Sequence, residues 1–334
     1  MKQLAFPALV VGALSIFSGG AMAQETLVFT TTNVEQNPLV GGLFQPWADR
    51  VNAAAKGAVV VELRNGQMLA NHANYYDRLT DDVMQITWGM TVFNPGKFPR
   101  SLVSTMPLIV DSAEQGSVAM CRMWERGAFD AEMGDILPLI FAEFPQGAVH
   151  LKNAPITDIS DVAGKKIMTN QPAAAAIIQA YGGAPLSIQL PEAYEALQRG
   201  TADGMLINFT ALPAFKLDEV LTDHFLGPFG GAVGMIFMTR AKFDSLPEAG
   251  QAAILANSGC EASRNAGKFI DGWENGAMNY VKSKEGQTFT TATPEQVQAL
   301  KDKMGPGIEA AFTSRVPDGE MLVEMFKEEL AKAK

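Results

Sequence analysis

Apolar and polar positions in the first third of the chain alternate between strand-like and helix-like patterns. Between two short β-prone runs, Leu43, Trp47 and Val51 recur every four residues, which is the spacing of an amphipathic helix. The pattern predicts a strand, a helix, a strand, a helix and a strand, at 27–31, around 43–51, and at 59–63, 75–82 and 85–88. Strands that alternate with helices in this way favour a parallel sheet.

The same alternation restarts after 144–147. It predicts strands at 166–169, 185–189 and 205–207, separated by a helix at 173–181 and a second one that opens at 191–192 and ends at Gly200. From Pro247 the chain contains few helix breakers until about Lys284. At about 1.5 Å per residue, a helix of this length can cross from one domain to another.

The length and composition fit two such α/β units. The chain has 334 residues, of which 47% are hydrophobic and 19% charged, as in globular rather than disordered proteins. Because this length exceeds what one compact core usually supports, we predict two domains with a ligand cleft between them. The formal net charge of −10 argues against nucleic acid and against an anionic membrane surface as partners, since both need a basic face.

The N-terminus has the features of a secretory signal peptide. Lys2 supplies the positive start, 4–17 is an apolar stretch, and Ala21-Met22-Ala23 is a small-x-small cleavage site before Gln24. The apolar stretch is shorter than a membrane span, and no cysteine follows the cleavage site. We therefore predict that residues 1–23 are removed and that the mature protein is exported to the periplasm.

The sequence lacks the residue patterns of common enzyme and metal sites. Its histidines, His72, His150 and His224, do not have the His-Glu-x-x-His spacing of a zinc site. No Gly-x-Ser-x-Gly elbow, Gly-x-Gly-x-x-Gly fingerprint or phosphate-binding loop is present. We therefore predict no cofactor, no metal and no catalytic residues. An exported enzyme without a marked motif is the alternative.

The two cysteines, Cys121 and Cys260, are too far apart in sequence for a Cys-x-x-Cys site. An even number of cysteines in an exported protein favours a disulfide between them. Free buried thiols are the alternative, because cysteine is also a common apolar core residue.

Several motifs occur in an order that resembles a known family. They are Gly-Gln-Met-Leu at 66–69, Thr-Trp-Gly at 87–89, Asn-Pro-Gly-Lys-Phe-Pro at 94–99, Met-Pro-Leu at 106–108, Asp-Val-Ala-Gly-Lys-Lys-Ile at 161–167, Glu-Ala-Tyr-Glu-Ala-Leu-Gln-Arg-Gly-Thr-Ala-Asp-Gly at 192–204, and Leu-Pro-Glu at 246–248. Over 24–330 the chain resembles the extracytoplasmic solute-binding proteins of tripartite ATP-independent periplasmic (TRAP) transporters, of the DctP type. The block at 192–204 is the most specific of these motifs.

The resemblance implies two α/β lobes that close on a ligand, in a periplasmic-binding-protein-like fold with a long helix spanning both. The predicted division gives lobe I residues 24–145 plus 234–273 and lobe II residues 146–233 plus 274–330. The resemblance also implies that the bound solute is delivered to a TRAP membrane permease driven by an ion gradient. The work of such a protein is binding and release rather than catalysis.

One position departs from the family pattern. In this family an Arg usually follows the Gly-x-Lys-x strand and pairs with the ligand carboxylate, whereas Met168 stands there in this chain. Methionine offers an apolar contact and no charge. Candidates for the missing positive charge are Arg64, Lys97 and Arg100, although exposure to solvent is the ordinary role of such residues.

Other candidate ligand contacts lie where predicted strands end. Polar donors are expected from Thr169, Asn170 and Asn208 in the second unit, and from Thr32, Asn33 and Asn71 in the first, with Asn37 and Gln171 nearby. Apolar contacts are expected from Trp88, Met90, Phe209 and Phe229, together with Met168. For each polar residue ordinary turn chemistry is the alternative, and for each aromatic residue it is a place in the core.

This combination predicts a periplasmic receptor for a small organic acid that is weakly polar or aromatic. A bare anion buried without a cation costs several kcal/mol more than neutral donors return. Two alternatives stay open at this stage. They are an exported α/β enzyme that acts on a small organic acid, and a ligand-sensing partner of a receptor kinase.

Overall fold

The computed structural model describes residues 24–144 and 147–333, so the predicted signal peptide at 1–23 lies outside the described residues. The strands are β1 (Glu25–Thr31), β2 (Val59–Asn65), β3 (Ile86–Met90), β4 (Ile136–Phe144), β5 (Ala148–Leu151), β6 (Lys166–Met168), β7 (Ala184–Leu186), β8 (Gly204–Ile207), β9 (Asp223–Leu226), β10 (Ala232–Thr239) and β11 (Thr288–Thr291). The α-helices are α1 (Gln45–Ala55), α2 (Tyr75–Thr80), α3 (Ala113–Glu125), α4 (Asp130–Met133), α5 (Pro172–Ala180), α6 (Ala193–Gln198), α7 (Ala211–Ala214), α8 (Arg240–Ser245), α9 (Glu248–Ala256), α10 (Gly259–Lys282), α11 (Pro294–Thr313) and α12 (Gly319–Lys332). Together they form the two α/β lobes that the sequence predicts.

Lobe I is built on a five-stranded sheet in the order β2-β1-β3-β10-β4. The three strands predicted from the N-terminal pattern are parallel, as expected, with Phe29 opposite both Leu63 and Ile86. Strand β10 is antiparallel to β3 and β4, because it returns from the other lobe, so the sheet is mixed. Phe29 packs edge-to-face on Trp47 of α1 at 5.5 Å, and both rings are fully buried.

Lobe II is built on a six-stranded sheet in the order β11-β9-β5-β8-β6-β7. Strand β6 is parallel to β7 and β8, whereas β5 is antiparallel to β8 and β9. The chain passes from lobe I to lobe II between Phe144 and Ala148 and returns between Leu226 and Ala232. Within the described residues, no helix combines the length and the apolar composition that crossing a bilayer requires.

The helix predicted to run with few breakers from Pro247 to about Lys284 is two helices, α9 and α10. The chain turns at Asn257 and Ser258, and Gly259 begins α10 with a φ of +83°, a backbone conformation that favours glycine. The indole nitrogen of Trp47 donates to the carbonyl of Asn257 at 3.0 Å, which satisfies a backbone group freed by the break. Helix α10 has 24 residues and spans about 36 Å, enough to reach both lobes.

Helix α10 packs closely against α3 in lobe I. An added Cβ at Gly267 would lie 2.5 Å from the carbonyl oxygen of Ala113, so only glycine permits this approach. The carboxylate of Asp271 accepts hydrogen bonds from the backbone N–H groups of Ala113 and Glu114, at 2.8 and 3.0 Å. These donors open α3 and have no partner within their own helix, so an anion is favourable there.

A disulfide between Cys121 of α3 and Cys260 of α10 holds the same two helices together at the other end of their contact. It closes a loop in which the cysteines are 139 residues apart in sequence. The two sulfur atoms belong to a lobe I contact, so the bond does not restrict movement between the lobes.

The structure differs from the predicted lobe division at the C-terminus, where 274–330 was assigned to lobe II. Helix α12 lies against α3 of lobe I, because the side-chain amide of Gln115 donates to the carbonyl of Leu330 at 2.9 Å. Arg126 also donates to the buried carboxylate of Glu329 at 2.6 Å. The chain therefore leaves lobe II after β11 and returns to lobe I for a second time.

Replacement of both cysteines by serine should lower the free energy of unfolding by about 2 to 5 kcal/mol, because an unfolded chain without the cross-link gains loop entropy. Urea unfolding of Cys121→Ser/Cys260→Ser against the unreduced wild type measures this loss. The matched control is the wild type in excess reductant, which should unfold like the variant. Two free thiols in the intact unreduced protein, found by mass spectrometry, would contradict the bond.

Candidate ligand-binding cleft

A cavity of about 210 Å³ lies between the two lobes, where strands of both sheets end. Lobe I contributes residues that follow β1 and β3, lobe II contributes residues that follow β6 and β8, and Trp273 of α10 closes one side. The carboxyl ends of parallel strands and the junction of two domains are the usual places for small ligands in α/β proteins. Larger cavities, of about 460, 500 and 370 Å³, lie away from these strand ends, the first two along α11 and the third beside the start of α3.

Part of the predicted ligand set lines this cavity. The lining residues among those predicted are Asn33, Asn37, Trp88, Met90, Thr169, Asn170, Gln171 and Asn208. Thr32 is buried beside them, with its hydroxyl oxygen 3.5 Å from Nε2 of His72. Asn71 lies outside the lining, and its side-chain oxygen accepts from the N–H groups of Ala73 and Asn74, which is the turn chemistry given as its alternative.

Three predicted contacts lie in the core instead. Met168 is fully buried among the apolar side chains of lobe II. The ring of Phe209 stacks on Phe289 at 5.7 Å, and Phe229 packs on Phe225 at 5.9 Å. None of the three lines the cleft. Each is near the end of a strand, but the end of a strand does not determine which face its side chain joins.

The lobe II wall presents neutral hydrogen-bonding groups. The amide nitrogen of Asn208 donates to the hydroxyl of Thr210, and that of Asn170 donates to the carbonyl of Ile188 at 3.2 Å. The hydroxyl oxygen of Thr169 accepts from the N–H of Gln171 at 3.3 Å. Helix α5 begins at Pro172, directly after Thr169, Asn170 and Gln171, so the partial positive charge of its N-terminus is at the cleft.

The lobe I wall contains His72, which the sequence reasoning considered only as a zinc ligand. Its ring lies 4.4 Å from the ring of Phe93, and its carbonyl accepts from the side-chain amide of Asn94 at 2.8 Å. Burial lowers the pKa of His72, since the imidazolium form loses water contact. The ring is therefore a neutral donor and acceptor at neutral pH.

Aromatic rings form much of the remaining surface. Trp88, Phe93, Phe144, Phe215 and Trp273 all line the cavity. Phe144 ends β4 and lies between the indoles of Trp88 and Trp273, with ring centroids 6.4 Å away on each side. Of these five rings only Trp88 was predicted. The others come from elements far apart in sequence, and a periodic apolar pattern gave no reason to separate them from core residues.

The cavity lining contains no Lys, Arg, Asp or Glu among the described residues. The three candidate cations lie elsewhere. Arg64 pairs with Glu62 and Lys97 with Asp77, at 2.5 and 3.6 Å, on the surface. Arg100 is buried and donates to the carbonyls of Ala128 and Pro317, at 2.7 and 3.0 Å. An anion in this cleft is thus met by neutral donors rather than by an ion pair.

Helix α10 holds the lobe II wall through Glu274, which follows Trp273. Its carboxylate accepts from the backbone N–H groups of Phe209 and Thr210, at 2.6 and 2.8 Å. Burial, with a smaller contribution from the charge of Asp271, raises the pKa of Glu274 to about 7, while the two backbone donors oppose this rise. The position of Asn208 and Thr210 therefore depends on a carboxyl group that titrates near neutral pH.

Known proteins resemble this chain in sequence and in fold. The profile of the DctP family, the bacterial extracellular solute-binding proteins of family 7, matches residues 29–315. A curated solute-binding protein from Albidiferax ferrireducens is 25% identical over 232 residues, which are 67% of this chain and 67% of that protein.

Two solved structures share the fold over nearly the whole chain. A marine metagenome TRAP solute-binding protein from an unidentified microbe, described as specific for aromatic acid ligands, is 25% identical, with a TM-score of 0.86 over 93% of this chain and 100% of its own. It was solved with metahydroxyphenylacetate and with 3-hydroxybenzoate. A TRAP solute-binding protein from Rhodoferax ferrireducens, solved with benzoate, is 24% identical, with a TM-score of 0.84 over 92% of this chain and 98% of its own. This second likeness supports the fold alone.

The raised pKa of Glu274 should make stability depend on pH. The folded state holds this proton up to about pH 7, whereas an exposed carboxyl releases it near 4.5, so the stabilisation is complete below about pH 4.5 and is lost as the pH rises through 7. We expect a loss of up to about 3 kcal/mol between pH 5 and 8 in urea unfolding of the wild type. Glu274→Gln should show a clearly smaller pH dependence, because the raised pKa values of Glu132 and Glu143 remain, and the exposed control Glu285→Gln should keep the whole of it. An equal pH profile in all three proteins would contradict the prediction.

The burial of Met168 gives a second prediction. Met168→Arg should lower the free energy of unfolding by about 3 kcal/mol or more, because the guanidinium would enter an apolar core without a partner. Met168→Leu, which preserves volume and polarity, should cost less than about 1.5 kcal/mol. Urea unfolding compares the two variants with the wild type. If Met168→Arg is as stable as Met168→Leu, the side chain at this position reaches the cleft.

Proposed function

The chain belongs to family 7 of the bacterial extracellular solute-binding proteins, the DctP family, and we propose that the solute it binds is a small aromatic monocarboxylic acid. The proposal depends above all on one observation, that rings from both lobes and from α10 surround a cavity whose lining has no ionised side chain among the described residues. Among the described residues that line the cavity, His72 is the only one of a type that commonly transfers protons. Because one such residue is a poor basis for catalysis, we expect the acid to be released unchanged.

The aromatic walls favour a ligand ring. Phe93 lies on the lobe I side, Phe215 on the lobe II side, and Trp273 between them on α10. Aromatic rings pack well on one another in offset or edge-to-face geometry, with a gain of about 0.5 to 1.5 kcal/mol beyond burial. A flat ring can therefore contact both lobes at once, and these contacts stabilise the closed conformation.

The lobe II wall is the proposed place of the carboxylate. Thr169, Asn170 and Asn208 supply neutral donors, and the N-terminus of α5 adds its partial positive charge. One carboxylate can be satisfied in this way. A second carboxylate would lie in a lining that has no cation among the described residues to balance it, and burying two anions together would cost several kcal/mol.

The relatives support the same ligand class. The marine metagenome protein, described as specific for aromatic acid ligands, is 25% identical to this chain, the same identity as the curated solute-binding protein. It shares the fold of this chain with a TM-score of 0.86. By analogy with TRAP solute-binding proteins, we propose that this protein is exported, collects its acid in the periplasm and delivers it to a TRAP membrane permease.

Isothermal titration calorimetry tests the ligand class. We expect 3-hydroxybenzoate and benzoate to bind, and cyclohexanecarboxylate and phthalate to bind at least about tenfold more weakly, because the first lacks an aromatic ring and the second adds a carboxylate. Phe215→Ala should weaken 3-hydroxybenzoate by about tenfold, which is about 1.4 kcal/mol. The exposed Tyr280→Ala serves as the matched control. Equal affinity for the four acids, or no binding of any of them, would overturn the proposal.

A further inference from the structure

Two histidines that do not line the cleft form a pair behind its lobe II wall. His150 of β5 and His224 of β9 are register partners on neighbouring antiparallel strands, and both are completely buried. Their Nδ1 atoms lie 2.7 Å apart, within hydrogen-bond distance. Such a contact requires one proton between the two nitrogens.

The outer nitrogens of the pair both face acceptors. Nε2 of His150 lies 2.9 Å from the carbonyl oxygen of Ile207, and Nε2 of His224 lies 2.6 Å from the side-chain oxygen of Gln287. The amide nitrogen of Gln287 donates to the carbonyl of Asp218 at 3.1 Å, which fixes the orientation of this amide. Both Nε2 atoms must therefore carry a hydrogen to donate.

Counting these protons gives the charge of the pair. Two neutral imidazoles carry two protons, and both are already used at the Nε2 positions. Two bare lone pairs would then face each other across the 2.7 Å gap, so a third proton must lie between the Nδ1 atoms. We propose that His150 and His224 share one proton, and that this buried monocation compensates the carboxylate of the bound ligand where Met168 provides no charge.

The pair is connected to the cleft through one peptide group. His150 donates to the carbonyl of Ile207, which lines the cavity, and the next residue is the proposed carboxylate donor Asn208. A hydrogen bond from a cation polarises the peptide that accepts it, and a charge behind a dry wall is weakly screened. This inference rests on the proposed function, because it needs an anionic ligand in the cleft.

Aromatic rings separate the pair from water. The ring of Phe209 lies 4.9 Å from His150 and 5.5 Å from His224, and the ring of Phe289 lies 4.6 Å from His224. Phe209 therefore packs against the two histidines and does not line the cleft. Contacts of a cation with aromatic rings are themselves favourable.

The charged groups around the pair come from several elements. Burial lowers the pKa of His224, and the hydrogen bond to Gln287 and the charges of Asp223 and Asp218 oppose this lowering. Lys284 pairs with Asp218. Lys282 lies over the Phe289 ring at 5.2 Å, and Glu274 of α10 accepts from the N–H of Phe209. Burial lowers the pKa of both histidines, and the charge of His224 lowers that of His150 further, so burial disfavours a charged pair. The hydrogen bonds to Ile207 and Gln287 oppose this lowering, and the 2.7 Å contact between the Nδ1 atoms is what requires the third proton. A monocation is the remaining state that satisfies every hydrogen bond of the pair.

Nuclear magnetic resonance of the ligand-free wild type tests the shared proton without any substitution. In protein labelled with ¹⁵N-histidine, we expect three protonated nitrogens in the pair at pH 6 to 7, namely two Nε2 atoms and one shared Nδ1 position with a strongly deshielded proton. Two protonated nitrogens, one on each ring, would overturn the inference whatever the protein binds.

Calorimetry with 3-hydroxybenzoate and its neutral analogue 3-hydroxybenzamide tests the role in binding between pH 6 and 9. As the pH rises and the pair loses its shared proton, the affinity of the wild type for the acid should fall by at least about tenfold more than its affinity for the amide, because the titration of Glu274 affects the same wall for both ligands. His224→Gln should bind the acid weakly at every pH. His72→Gln, which changes a histidine of the cleft, should keep the pH dependence whatever it does to affinity.

The outcomes separate the two proposals. An affinity of the wild type for 3-hydroxybenzoate that is equal at every pH and equal in His224→Gln overturns the role of the pair and leaves the proposed function standing. Failure of the acid to bind the wild type at any pH overturns the proposed function, and the ligand role of the pair with it. If His224→Gln does not fold, the pH profiles of the wild type for the acid and the amide test the role of the pair, and equal profiles for the two ligands overturn it.

Discussion

A single turn of α10 fixes both walls of the cleft. Asp271 and Glu274, three residues apart on this helix, each accept two backbone N–H groups from a different lobe. Asp271 holds the start of α3 in lobe I, and Glu274 holds the turn after β8 in lobe II. Trp273 lies between them in sequence and lines the cavity. Because four otherwise unsatisfied donors end on two carboxylates of one rigid helix, the positions of both walls depend on this turn.

The rest of the architecture is arranged around that turn. The disulfide and Gly267 hold α10 against lobe I, whereas the lobes are otherwise joined by the two strand crossings near Phe144 and Leu226 and by the return of the chain after β11. Movement of lobe II relative to lobe I must be absorbed in these connections. Lobe I and α10 therefore form the fixed part, against which the donors of lobe II are positioned by one partly buried carboxylate.

The described lining of the cleft has no ionised side chain, so an acid cannot be bound there by a direct ion pair. In the proposed arrangement, neutral donors and a helix N-terminus contact the carboxylate, aromatic rings contact the apolar part of the ligand, and the charge of the His150–His224 pair acts from behind the wall. A charge in that place is already buried and already has hydrogen bonds to Ile207 and Gln287. Ligand binding therefore adds no desolvation cost for this charge. Selectivity then depends on the shape of the aromatic surface.

The strand and helix order of 27–88 and of 166–207, the two α/β units and the family all follow from the sequence alone, because periodicity and local motifs are properties of neighbouring residues. The sequence also placed Asn33, Trp88 and Asn208 at the cleft, since residues that follow strands in α/β sheets meet at one edge. The burial of Met168 and Phe209 in the core, and the places of Phe215 and Trp273 in the lining of the cleft, became clear only from the folded chain. The face that a side chain joins is set by packing against strands and helices distant in sequence, and no local pattern records those neighbours.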